Sequence, residues 1–246
     1  MVMAPPNLPG STRAAKVLHT SDCHLGSGDG GHEEAAFSRA IDLAIREDVD
    51  VVLIAGDLFD NARVPESLLG WTADQLDRLE RPVVIIPGNH DAFHDSSVYL
   101  RFQPDERCRQ VSFIQDAEGA VVHVPGTGIV VWGKAMVEHE PAFRPLVGIP
   151  DRPEARWCIV AGHGLVMGSD EPTYRSSPIY PSDLDVIDWD YVALGHCHGY
   201  SELRGPAAPA CYPGATASSL DQRPGALVVD FVPGNGATPR WVALDG

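Results

Sequence analysis

Val51-Val52-Leu53-Ile54-Ala55 runs without a polar residue into Gly56-Asp57. A continuous apolar run of this length, closed by a turn signal, reads as a strand buried on both faces. The residues on either side extend the reading. Upstream, Lys16-Val17-Leu18-His19-Thr20 predicts a strand that leads into a glycine-rich loop. Residues 33–47 then predict a helix, because Phe37, Ala40, Ile41, Ala44 and Ile45 fall on one face at amphipathic spacing. Downstream, Pro65 opens a second helix carrying Leu68, Leu69, Thr72, Leu76 and Leu79, proline being favoured in the first turn. Residues 83–86 are a third buried strand that stops at Pro87-Gly88. The order βαβαβ implies parallel strands joined by right-handed crossovers.

The second half is richer in strands, expected at 121–124, 129–132, 157–161, 191–194, 226–232 and 240–244. Pro125-Gly126-Thr127-Gly128 reads as a hairpin turn. Residues 168–185 are the main irregular insertion, of a length that is usually functional or mobile. Residues 1–13 hold three prolines and no apolar stretch, so they read as a disordered leader and not a signal peptide. Residues 14–246 are expected to form one domain.

Composition narrows the function. The 246 residues include 34 acidic and 18 basic ones, a formal charge of −16. That argues against a broad basic face for nucleic acid, because phosphate binding needs Lys and Arg to displace counterions. It leaves room for an enzyme whose bound metals supply positive charge locally. Hydrophobic residues at 44% and charged ones at 21% are ordinary for a globular protein and exclude disorder of the whole chain. No apolar run approaches the roughly 20 residues of a membrane span, so no membrane association is expected. Five cysteines without a C-x-x-C pair make a poor disulfide framework and a poor thiolate metal site. A reduced, cytoplasmic protein is the expectation.

Asp22 and His24 follow the first strand, Asp57 the second, and Asn89, His90 and Asp91 the third. His163 follows a later strand, and His196 and His198 follow another in Gly195-His196-Cys197-His198. Five strands thus discharge a potential ligand at their carboxyl ends, the edge where open α/β sheets build their sites. Singly, each is ordinary turn chemistry. Together they point to a site. Asp22, His24, Asp57 and His198 can make one oxygen/nitrogen group, and Asp57, Asn89, His163 and His196 a second. Asp57 would then bridge two divalent ions about 3.5–4 Å apart, as in two-metal hydrolytic sites. Ligands of this kind, without thiolate, favour manganese, iron or zinc. His196 and His198, two apart on extended backbone, are expected to point to one side, with Cys197 facing away into packing.

In order, these D-x-H, G-D, G-N-H-D, G-H and G-H-x-H signatures resemble the calcineurin-like metallophosphoesterase superfamily, over Asp22 to His198. The resemblance implies an α/β fold, a four-layer α-β-β-α sandwich of two mixed sheets. It also implies a dinuclear centre, most often manganese, with the two ligand groups given above. It makes His90 the general acid or transition-state stabiliser, oriented by Asp91. Thr20-Ser21-Asp22-Cys23-His24-Leu25-Gly26, Gly56-Asp57-Leu58-Phe59-Asp60, 190–196 and 212–216 are most similar in wording to DNA repair exonucleases of the SbcD type. Such nucleases carry a further capping domain and a segment that binds an ATPase, so the resemblance implies an ATPase as a possible partner.

The expected reaction is phosphodiester hydrolysis by a metal-bridging hydroxide, on nucleotides or short nucleic acid. The alternative is a phosphomonoesterase acting on a small metabolite or phosphoprotein. A binding module on a decayed enzyme fold is disfavoured by the complete ligand set. Arg101 and Arg175 are the candidate phosphate contacts, near the aromatic residues Phe93, Tyr99, Tyr174 and Tyr180.

Overall fold

A computed structural model describes residues 14–28, 31–204, 208–217 and 222–245. The leader expected at 1–13 lies outside them. In chain order the elements are β1 (Ala15–Thr20), α1 (His32–Arg46), β2 (Val51–Ala55), α2 (Glu66–Arg78), β3 (Val83–Ile86), α3 (Tyr99–Phe102) and α4 (Pro104–Arg107). Strands β4 (Val111–Phe113), β5 (Ala120–Val124), β6 (Ile129–Gly133), β7 (Trp157–His163), β8 (Leu165–Val166) and β9 (Pro178–Ile179) follow. The chain continues with α5 (Pro181–Asp185), β10 (Tyr191–Gly195), β11 (Ser201–Arg204), β12 (Pro209–Tyr212), β13 (Gly225–Val232) and β14 (Gly236–Ala243).

Two six-stranded mixed sheets result, ordered β14-β13-β1-β2-β3-β4 and β11-β12-β10-β7-β6-β5. In the first, β1 to β4 are parallel, as the βαβαβ reading requires, and β13 closes against β1 antiparallel. In the second, β6, β7, β10 and β12 are parallel, flanked by antiparallel β5 and β11.

The unbroken apolar run of β2 follows from where its two faces go. Val52 and Ile54 pack with Phe37, Ile41 and Leu69 of the helices, while Val51 and Leu53 pack with Ile159 and Ala193 of the second sheet. Each such side chain contributes about 1.5–3 kcal/mol by leaving water. The outer face of the second sheet buries Val160, Trp132 and Val192 under Leu146, Ile187 and Trp189. The fourth layer is therefore largely loop, with α5 as its short helical piece. Among the described residues no helix is long and apolar enough to cross a membrane.

Several elements differ from expectation. β14 begins at Gly236 rather than near 240, because a tight turn (Asn235 N–H to the Val232 carbonyl, 2.9 Å) lets it pair with β13 along its full length. Pro239 is tolerated there because β14 is an edge strand. Strands β4, β11 and β12 were not expected. They are short and carry little apolar periodicity, and sheet pairing rather than local pattern makes them strands. The segment 168–185 is not irregular throughout, since it ends in β9 and α5.

Candidate metal centre

The carboxyl ends of β1, β2 and β3 meet those of β7 and β10 where the sheets face each other. Register places Thr20 opposite Ile54, Ala55 opposite Ile86, and Gly195 opposite His163. Close approach needs missing side chains. A Cβ at Gly195 would collide with the Ala55 carbonyl oxygen, and one at Gly88 with the Asp57 carboxylate.

Four candidate ligands take left-handed backbone: Asp22 (φ 52°), His24 (47°), Asp57 (53°) and His196 (104°). Non-glycine residues rarely sit there, and such strain gathers at functional sites. The value at His196 also corrects the expectation of extended backbone through 196–198. β10 ends at Gly195, and the two imidazoles reach opposite sides of the cluster from a loop. Cys197 does pack away, against the outer face of the second sheet.

The side chains converge in two groups. In the first, His24 Nε2 lies 3.2 Å from His198 Nε2, and His198 Nε2 lies 3.8 Å from Asp22 Oδ1. In the second, Asn89 Oδ1 lies 3.1 Å from His163 Nε2 and 2.8 Å from His196 Nδ1, with Asp57 Oδ2 3.3 Å from His163 Nε2. Asp57 Oδ2 is also 3.9 Å from His24 Nε2, so one carboxylate stands between the groups. Asp22 does too, joining His24 and His198 on one side and Asp57 and His163 on the other.

Ring orientation is fixed from behind. The Ala55 carbonyl can only accept, so His163 Nδ1 donates to it (2.8 Å), which leaves Nε2 as the ring atom that faces Asp57 and Asn89. Asp60 Oδ1 does the same for His24 Nδ1 at 3.1 Å. Carboxylate oxygens, an amide oxygen and imidazole nitrogens then face one another. A divalent cation satisfies that arrangement.

Burial disfavours charge on Asp57, but the His163 imidazole and the His90 amide outweigh it and hold the carboxyl below its ordinary range. Burial likewise opposes charge on His163, and Asp57 overcomes it, raising that ring to about 9. Burial and His163 push His196 down to about 4.

His90 stacks edge-on to His24 with centroids 4.5 Å apart, and its amide donates to Asp57 Oδ1 at 2.8 Å. Its Nδ1 donates to the Asp60 carbonyl at 3.0 Å. Asp91, expected to orient His90, is turned inward instead. Its carboxylate accepts from the Phe59 amide (3.1 Å), the Gly88 amide (2.7 Å) and the Tyr99 hydroxyl (2.7 Å). Burial and the Asp57 charge raise its carboxyl to about 6. Asp91 thus braces the loop that carries Asn89 and His90.

Arg101 is likewise spent elsewhere. Its guanidinium donates to the carbonyls of Ala62 (3.1 Å) and Val64 (2.9 Å) ahead of α2 and lies 3.6 Å from Glu66. Arg175 is exposed on the loop between β8 and β9. Two residues near the cluster had no expected role. Asp60 was visible in Gly56-Asp57-Leu58-Phe59-Asp60 but its partners are not local. His139, whose ring lies 5.6 Å from that of His196, belongs to no motif.

Over the first group opens a pocket of about 250 Å³, lined by Asp22, His24, Asp60, His90, His198 and Glu33. A larger concavity of about 570 Å³, between Leu146 and Trp189, holds none of the ligand set.

This fold and constellation define a phosphoesterase class, and comparison agrees. The family model described as calcineurin-like phosphoesterase matches residues 15–200. The chain belongs to that family. The SbcD component of the nuclease SbcCD of Bacillus subtilis is 36% identical over 274 residues, covering 93% of this chain and 69% of that protein. The DNA double-strand break repair protein Mre11 of Haloferax volcanii is 30% identical, over 89% of this chain and 50% of its own length. The uncharacterized metallophosphoesterase YhaO of Bacillus subtilis is 28% identical, over 81% and 52%. The chain thus spans about half the length of the last two. The solved structure of TT1561 from Thermus thermophilus matches with a TM-score of 0.58 at 15% identity, over 95% of this chain and 100% of that one. At that identity the likeness concerns the fold.

Proposed function

We propose that this protein hydrolyses phosphodiester bonds with two divalent ions, manganese by preference, at the joined sheet ends. The observation that carries the reading is the Asp57 carboxylate standing between two convergent ligand groups. Asp22, His24, Asp57 and His198 would hold one ion, and Asp57, Asn89, His163 and His196 the other. Bound there, two cations activate water and stabilise charge on the phosphoryl oxygens.

The chain supplies the rest. With Nδ1 engaged by the Asp60 carbonyl, His90 presents Nε2 as the atom that hands a proton to the departing oxygen. Asp60 serves twice, through its carboxylate under His24 and its carbonyl under His90. Asp60→Ala keeps that carbonyl and removes only the carboxylate. Losing such a support typically costs about 10–100-fold in metal affinity, so manganese binding should weaken by that factor in a chelator competition. Parent-like affinity would take Asp60 out of the site.

The charge of −16 sets the substrate. Two ions add about +4 locally, enough for one or two phosphates. A long duplex needs several contacts, each with a salt slope near −0.9. We therefore assign small phosphodiesters, nucleotides or short single strands as substrates. Hydrolysis of bis-p-nitrophenyl phosphate should exceed that of p-nitrophenyl phosphate in kcat/KM with manganese present. The reverse order would support the monoesterase. Submicromolar duplex binding at physiological salt, with a slope implying six or more contacts, would overturn the charge argument.

A further inference from the structure

His139 sits on the loop that leaves β6 and passes over the carboxyl edge of the second sheet. The loop is fastened along its length by backbone hydrogen bonds. Ala135 N–H donates to the Asp116 carbonyl (2.9 Å), Phe93 N–H to the Met136 carbonyl (2.7 Å) and Ser177 N–H to the Glu140 carbonyl (3.0 Å). Ala135 and Met136 are fully buried. Held in this way, the His139 ring stands edge-on to His196, centroids 5.6 Å apart and planes at 64°.

The ring itself is exposed, and among the described residues neither of its nitrogens has a hydrogen-bond partner. Asp57, His163 and His90 all act on it electrostatically, so it faces the cluster from the Asn89–His163–His196 side. His90 borders the other group, against His24. An imidazole placed by its backbone, with its polar atoms uncommitted, has an N–H to offer an incoming ligand. The chemistry that reaches this place is the phosphoryl group.

We infer that His139 contacts the substrate, donating a hydrogen bond to a non-bridging phosphoryl oxygen on the His196 side of the cluster. This rests on the phosphoesterase reading above and gives the site a second imidazole that touches substrate without holding metal.

The test is titration of the manganese-loaded protein with inorganic phosphate, alongside bound-manganese analysis and bis-p-nitrophenyl phosphate kinetics. A hydrogen bond to a charged group is worth about ten- to hundredfold in affinity. His139→Ala should weaken phosphate by that factor with manganese stoichiometry unchanged. His139→Gln, which retains an N–H donor, should stay within about threefold of the parent. Parent-like phosphate affinity in His139→Ala, equal loss in both variants, or no phosphate binding by the parent would overturn the assignment. Loss of a manganese equivalent in His139→Ala would overturn it too, by making the residue a ligand. A parent that binds phosphate but does not hydrolyse the diester would refute the proposed function while the phosphate titration still decides His139.

Discussion

Asp57→Asn is expected to lower phosphodiester turnover by about a thousandfold or more and to leave fewer than two manganese ions bound. The substitution is nearly isosteric, and its amide oxygen can still accept from the His90 amide as Oδ1 does now at 2.8 Å. What it removes is the charge between His24 and His163, whose Nε2 atoms lie 3.9 and 3.3 Å from the other carboxylate oxygen. Metal-based transition-state stabilisation amounts to several kcal/mol, and each 1.4 kcal/mol is about tenfold in rate. The fold should persist, because the hydrophobic clusters behind the sheet ends do not include Asp57. Steady-state kinetics with metal analysis and circular dichroism check all three points. A folded variant with two ions and turnover within tenfold of the parent would remove the bridging role.

His90→Asn should act on turnover alone. It spares all seven proposed ligands, so manganese content should match the parent. Loss of a general acid typically costs about 10²–10⁴-fold. The loss should be greatest for a poor leaving group such as an alkoxide and shrink for p-nitrophenolate, which departs with little protonation. A set of aryl and alkyl diesters of graded leaving-group pKa measures this. If the variant loses the same factor across the set, or nothing on the poorest leaving group, proton donation belongs elsewhere.

The parallel frame and the convergence of the candidate ligands were legible for one physical reason. A strand covered on both faces must be apolar throughout, so Val51–Ala55 and Val83–Ile86 announce themselves. The polar residue next along the chain then falls at the sheet edge, which made Asp57 and Asn89 readable. Orientation within the edge was not. Asp91 is adjacent to His90 in sequence, yet the turn sends its carboxylate inward to Phe59, Gly88 and Tyr99. The group that fixes His90 comes from Asp60, thirty positions away. Arg101 looked free because a sequence does not show the carbonyls of Ala62 and Val64 waiting ahead of α2. His139 reaches the cluster through a loop whose anchors, Asp116, Phe93 and Ser177, are scattered along the chain. No periodicity could place it there. β12 is a strand because β10 and β11 pair with it on either side.

The central claim is a two-ion centre that performs the chemistry. The most direct measurement is a manganese titration of the metal-free protein that follows bound metal and bis-p-nitrophenyl phosphate turnover in the same samples. The account predicts two equivalents bound per chain, with turnover rising only as the second site fills. Full turnover at one equivalent or less, or two bound equivalents with no turnover, would contradict it.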